Sequence, residues 1–215
     1  ISGSSSVVKL DAWNWEDASI KNDDAIHINW PSSFTSGRWW LGEDSALKPD
    51  KNYLKETQEI ASFFKDAKQY HNKENLIKNL PFSSIKGLIV GSQKLFIHAN
   101  GQREITDAIS MDKDMGINNL VLVNGHEAEK VSDLLVEHNI PVILERPHRN
   151  PESEDHAYDY TYTIAKTLTD LGILVGIGME GRPAALSWCW RGLWLVLAKK
   201  SPPPPARNPM EFPLA

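Results

Sequence analysis

Four short apolar runs, each with its polar, ligand-competent residues at the same end, constrain this chain more than any other feature of it. Lys94 to Ile97 leads into His98, and Leu120 to Val123 into Asn124, Gly125 and His126. Pro141 to Leu144 leads into Glu145, Arg146 and His148, and Ile173 to Ile177 into Met179 and Glu180. Each run is too short for a buried helix and rich in Val, Ile and Leu, the pattern of strands covered on both faces. Segments with helical spacing separate them: Ile105, Ala108 and Ile109 in the first, Ala128, Val131, Leu134 and Leu135 in the second, Tyr162, Ala165 and Leu168 in the third. Strand and helix in alternation predict a parallel sheet of the α/β class. Ligands bind such sheets beyond the carboxyl ends of the strands, where loops converge and helix N-termini favour anions, so ligand-competent groups at four successive ends mark a candidate site.

The residues at these ends also carry a resemblance. The run His98-Ala-Asn-Gly-Gln-Arg-Glu-Ile, then Leu-Val-Leu-Val-Asn-Gly-His126-Glu-Ala-Glu-Lys-Val-Ser-Asp, then Asn139-Ile-Pro-Val-Ile-Leu-Glu-Arg, resembles the second half of a metal-dependent amidohydrolase of the imidazolonepropionase-related group. The likeness extends upstream through Val7-Val8-Lys-Leu-Asp-Ala-Trp-Asn-Trp-Glu-Asp and Ile28-Asn-Trp-Pro, and downstream to about Gly181. It implies a (β/α)8 TIM barrel with a metal site at the strand ends, hydrolysing C–N bonds of cyclic amides, amidines or peptides through a metal-activated water. It also implies a partial barrel here, incomplete on the N-terminal side.

Carried over by position, His98 matches a metal-ligating His at the end of the fifth barrel strand. Asn124 takes the closer match to the sixth-strand His, with His126 two residues beyond it. Glu180 falls where the family has an Asp that both ligates metal and acts as general base. The resemblance therefore gives His98, His126 and Glu180 as candidate metal ligands, Glu180 as the catalytic group, and Asn124, Arg146 and His148 as candidate substrate-binding residues. The first-strand His-X-His of the family has no counterpart anywhere in the sequence. The expected divalent metal, zinc by the resemblance, is thus weakly held or absent in this chain, and a catalytically inactive barrel-derived binding or assembly fragment is the alternative function.

A complete barrel usually takes about 250 residues, so 215 residues fit a piece of a larger fold. The net charge of -5 argues against nucleic acid as a partner, since phosphate neutralisation needs a basic face. One cysteine, Cys189, excludes an internal disulfide framework and any CxxC zinc site. No apolar run reaches about 18 residues, so no membrane span is expected. The chain opens on Ile with no charged n-region; it reads as soluble, exported or not, with any targeting signal removed or never included. An open half-barrel exposes sheet edges, which predicts a homo-oligomer or a swapped partner covering them. Its substrate would be a small amide or peptide.

Upstream of the four runs, Val7 to Leu10 reads as a strand, and Ala25 to Trp30 alternates and stops at Pro31. His27 in that segment is expected to be a satisfied histidine on a strand face. Trp13, Trp15 and Trp30, with Trp39 and Trp40, read as packing at domain or subunit contacts, with a sugar-stacking platform as the alternative. Asp50 is the expected N-cap of the strongest helix, which runs to about Asn72 with Leu54, Thr57, Ile60, Ala61, Phe64, Ala67 and Lys68 on one face. A short helix from Glu74 to Leu80 ending at Pro81, and a partial strand over Gly87 to Gly91, complete this region. Two polar residues stand out further on. Asp112 continues the apolar face of Ile105, Ala108 and Ile109, where an unpartnered carboxylate must neutralise or turn outward; His138 is expected to be an exposed partner of a helix dipole.

Composition changes after Gly181. Residues 182–215 hold five basic side chains against the single acid Glu211, three of the eight Trp and the run Pro202 to Pro205. Residues 1–181 therefore read as the partial barrel domain and 182–215 as a Pro/Trp-rich tail. The abrupt break is expected of a shifted reading frame or truncated gene, with a PxxP-type recognition segment as the alternative.

Overall fold

The computed structural model describes residues 3–9, 11–37, 42, 46–72, 79–145 and 157–178. Arg146, His148, Glu180 and the 182–215 tail lie outside the described residues.

The predicted α/β architecture is present as one six-stranded sheet, strands β1 (Gly3–Val8), β2 (Ser19–Asn29), β5 (Lys94–Ala99), β6 (Leu120–Asn124), β7 (Val142–Glu145) and β8 (Val175–Gly178), side by side in that order. Within it only β1 is antiparallel; β2, β5, β6, β7 and β8 run parallel. A short hairpin, β3 (Phe34–Ser36) with β4 (Leu47–Pro49), stands apart, and a single helical turn, α1 (Trp15–Ala18), joins β1 to β2. Neighbours in the parallel part follow chain order without reversal. With right-handed crossovers that order keeps every connecting helix on one face and curls the sheet, which makes a half-barrel rather than a doubly wound sheet.

The side chains divide accordingly. Leu95, Ile97, Leu122, Val142, Leu144 and Val175 belong to the main core, packed under helices α2 (Tyr53–His71), α5 (Gln102–Met115), α6 (Ser132–Glu137) and α7 (Tyr160–Asp170). Alternate residues Val121, Val123 and Ile143, with Phe96, form a second and smaller cluster on the other face. A period of two places His98 on that second, concave face with Phe96, and His27 on it through its pairing with Phe96.

Several local expectations are corrected. The N-cap of α2 is Asn52, not Asp50, whose carboxylate instead accepts the Asn52 N–H at 2.8 Å. Leu54 is exposed on α2, and Tyr53 takes the buried place. Residues 74–78 of the expected Glu74–Leu80 helix lie outside the described residues; Pro81 itself stands in the first turn of α3 (Leu80–Ser84), which starts from Asn79, whose side chain accepts the Phe82 N–H, and Pro suits a first turn because its missing N–H has no partner there. Gly87 to Val90 is helical, within α4 (Lys86–Val90), closed by Gly91 at φ 84. The helix expected after β6 is broken into a 3-10 turn over Ala128–Val131 and the short α6. In α7 the buried residues are Thr161, Ile164 and Leu168, while Tyr162 faces out. The tryptophans separate as well: Trp30 is buried, and Trp13 and Trp15 are exposed. No helix of the described residues is long and apolar enough to cross a membrane.

Candidate functional site

A cleft of about 860 Å³ opens at the carboxyl ends of the parallel strands. His98 lies on its floor; His126 and Glu127 from the β6 end, Glu104 and Arg103 from α5, and Tyr160 from α7 form its walls. The chain turns sharply to make it. Asn124 closes β6 with φ 76 and Gly125 follows with φ 54. A Cβ on Gly125 would come within 3.1 Å of Leu122 and 3.2 Å of Val142, so glycine is required both for the backbone angle and for space. That turn delivers His126 to the rim, and its backbone carbonyl accepts the Tyr160 hydroxyl at 3.1 Å. Asn124 pairs in register with Ala99 and is not among the described residues lining the cleft.

His98 is held from a neighbouring strand by a residue given only a structural role in the sequence reading. Asn29 of β2 is opposite His98 in the parallel ladder. His27, two residues earlier on the same face, shares a hydrogen bond between its Nδ1 and His98 Nε2 at 3.0 Å. The other ring nitrogen of His27, Nε2, shares one with the Ser5 hydroxyl of β1 at 2.9 Å. When Ser5 donates to Nε2, Nδ1 carries the proton and donates to His98. Burial, and secondarily the nearby His98, lower the His27 pKa below the usual imidazole value. His27 is thus a satisfied histidine, as expected, yet its partner is the best candidate site residue.

Glu104 organises the opposite wall. Its Oε1 accepts from Ser33 N–H at 2.7 Å and from the hydroxyls of Ser32 and Ser33; Oε2 accepts from the N–H groups of Gly101 at 3.1 Å and Asn100 at 3.3 Å. Burial opposes the charge, but these donors outweigh it and hold the carboxyl below its usual pKa. The result ties the β2–β3 connection to the N-terminus of α5. Beside it, Tyr53 accepts from Trp30 Nε1 at 3.2 Å, donates to Asp107 at 2.7 Å and lies under the Arg103 guanidinium. Burial drives the Tyr53 pKa strongly up, so it remains a hydrogen-bond donor throughout the working pH range.

The expected metal ligands can be tested against this geometry. A catalytic zinc takes three protein ligands. Among the described residues no group of three or more His, Cys, Asp or Glu side chains is placed to hold a metal ion. His98 and His126 border one cleft, but His98 directs Nε2 to His27, and Glu180 lies outside the described residues. The described donor set does not fit a resident metal.

Fold and cleft together define the class: a curled α/β half-barrel with a pocket at its strand ends. No protein-family model matches the sequence, and no curated protein matches it. Among solved structures the chain is similar to an amidohydrolase from Thermotoga maritima MSB8, at 19% sequence identity and a TM-score of 0.60. The match covers 81% of this chain and 46% of that one, so this chain spans about half the length of the solved protein. The likeness is one of fold.

Proposed function

We propose that this chain is the substrate-binding half of an amidohydrolase-type (β/α)8 barrel of the imidazolonepropionase-related group, and that its cleft takes a small cyclic amide, amidine or peptide. The supporting observation is the position of His98: on the concave face, at the carboxyl end of a parallel strand, on the floor of the cleft. The reaction class is hydrolysis of a C–N bond, with Glu180 as the proposed proton acceptor and Asn124, Arg146 and His148 as proposed substrate contacts. In the proposal the zinc or other divalent metal of such enzymes is a cofactor of the whole barrel. Because the described donors do not fit it, the described residues are assigned binding and orientation only. Ser5, His27 and His98 fix one polar edge of the pocket, and Glu104 fixes the loop opposite.

Calorimetric titration of the purified chain with hydantoin-type cyclic amides and dipeptides tests this reading. Binding should weaken at least about tenfold in His98→Ala, the loss of one well-placed polar contact being worth about 1.4 kcal/mol or more. Equal affinity in the variant, with its circular dichroism unchanged, would remove His98 from the site and the reading with it.

A further inference from the structure

Helix α2 is packed on one flank and open on the other. On the packed side its Tyr53 hydroxyl donates to Asp107 of α5 at 2.7 Å, and its Lys68 Nζ donates to the Met115 carbonyl at 3.2 Å. On the open side no strand-helix-strand crossover precedes β2 among the described residues, because β2 is the first of the parallel strands and β1 pairs with it antiparallel. A groove of about 470 Å³ is left there, between α2, the C-terminal end of β2 and the start of α3. It shares no lining residue with the strand-end cleft. Pro31, Ile60, Phe63 and Pro81 give it apolar walls, and none of the four is fully buried. Its rim carries Asn29, Glu56 and Glu59, all exposed, and no Lys, Arg or His of the described residues lines it.

Apolar walls with carboxylates on the rim suit a partner that is apolar and basic at once, and the chain carries one such segment. Lys199, Lys200 and Arg207 flank the run Pro202 to Pro205, and Glu211 is the single acid of 182–215. Proline-rich sequences dock in the extended polyproline II form on grooves lined by apolar rings, losing little conformational entropy because that form is preset. Their free carbonyls accept from donors at the groove, a role open to the exposed Asn29 amide. Opposite charges at the rim then fix the position of the segment. Lys55 stands 3.9 Å from Glu59 with both side chains mostly exposed, an ion pair too weak to cancel the negative rim. The chain is also long enough. Gly178 ends β8 at the same end of the sheet as Asn29 ends β2, and four strand spacings, at most about 19 Å, separate the two strands. The 20 residues between Gly178 and Lys199 can span roughly 65 Å when extended.

We propose that the segment 199–207 of this chain docks in the groove beside α2, its prolines against Phe63, Ile60, Pro31 and Pro81 and its cations toward Glu56 and Glu59. The docked segment covers the flank that the half-barrel leaves open. Tethering raises the local concentration of such a segment to the order of mM, so a contact too weak to hold two separate molecules together is populated within one chain. Of the two readings of the break after Gly181, this one makes the tail a recognition segment with its groove in the same molecule.

A nitroxide on the full chain tests the assignment. Cys189→Ser removes the one native thiol, and Ser201→Cys supplies another beside the prolines for the label. The label should quench the amide signals of Asn29, Ile60 and Phe63, while those of α6, two helices away, keep their intensity; reducing the nitroxide should restore the lost signals. Glu56→Lys combined with Glu59→Lys, both at exposed positions, should remove the quenching with circular dichroism unchanged. Pro203→Gly combined with Pro204→Gly should weaken it. An isotope-labelled chain mixed with a spin-labelled chain of natural abundance should show none, because the contact is within one molecule. Absence of quenching at the groove, quenching retained after the charge reversal or unchanged by the proline replacement, or quenching reproduced in the mixture would each overturn the proposal, the last by assigning the groove to a second copy.

Discussion

Replacing Asp112 by Asn should make this protein more stable, and by an amount that depends on pH in a definite way. The carboxylate has an unfolded value of 3.8 and a folded value of about 7, raised by burial alone. Between those values the native state holds a proton that the unfolded chain has lost. This group's contribution to stability must then fall as pH rises from about 4 to about 7, by ~4 kcal/mol in all at ~1.4 kcal/mol per pH unit, while His27, with its lowered value, adds an opposite slope equally to wild type and variant. Asn has nearly the same shape and cannot ionise, so the variant lacks this slope. It should match the wild type near pH 3.5 and exceed it by up to ~4 kcal/mol near pH 8. The other shifted carboxyls do not confuse the window. Asp24, paired with Lys21 and Lys94, and Glu104, held by backbone N–H groups, both have lowered values and are the same in the two proteins, so they drop out of the difference. Urea unfolding midpoints measured from pH 4 to pH 8 on both proteins give the slope directly. Parallel curves, or a variant less stable at pH 8, would refute the argument by showing that Asp112 is partnered in solution.

Other outcomes follow from the strand-end cleft. Glu104→Gln removes a charged acceptor of up to five hydrogen bonds and should cost about 2–3 kcal/mol in urea unfolding. Wild-type stability from this group is present above the unfolded carboxyl value of 4.5 and is lost as pH falls through the lower folded value; the Gln variant should lack that acid-side loss. Gly125→Ala should destabilise by about 1–3 kcal/mol, since φ 54 strains any side chain and the new methyl meets Leu122, Val142 and Ala128. A loss below about 0.5 kcal/mol would mean that the turn relaxes easily. His27→Ala should change the imidazole nitrogen shifts of His98, by removing the partner of its Nε2; unchanged shifts would exclude the 3.0 Å contact in solution.

The features legible in the sequence were those with a local cause. Continuous Val, Ile and Leu runs announced β5 to β8, and the spacing of Ile105, Ala108 and Ile109 announced α5, because burial on two faces or one stripe leaves a periodic record. The run Leu88 to Val90 misled, since three apolar residues suit a strand or a helical turn alike and the left-handed cap at Gly91 decides for the turn. His98 was legible as a strand-end residue; its link to His27 was not. Those two are 71 positions apart, and only the register of β2 on β5 sets their rings together. Glu104 was missed for the same reason, with Ser32 and Ser33 some 70 positions upstream, although an acidic residue three places after Gly101 is a helix-start signal. Asp112 stood out at once as a carboxylate on an apolar stripe. The sequence could not show that His138, expected at the surface, would be drawn in, half-buried, to line one cavity with it.

The strand-end His98 serves binding and is engaged by His27 rather than by a metal. Elemental analysis of the purified chain, before and after mild chelation, examines that reading most directly. The expected result is substoichiometric zinc that chelation removes with no change in circular dichroism, and no difference in metal content between wild type and His98→Ala. One tightly held metal per chain, retained through chelation and lost on replacing His98, would contradict it.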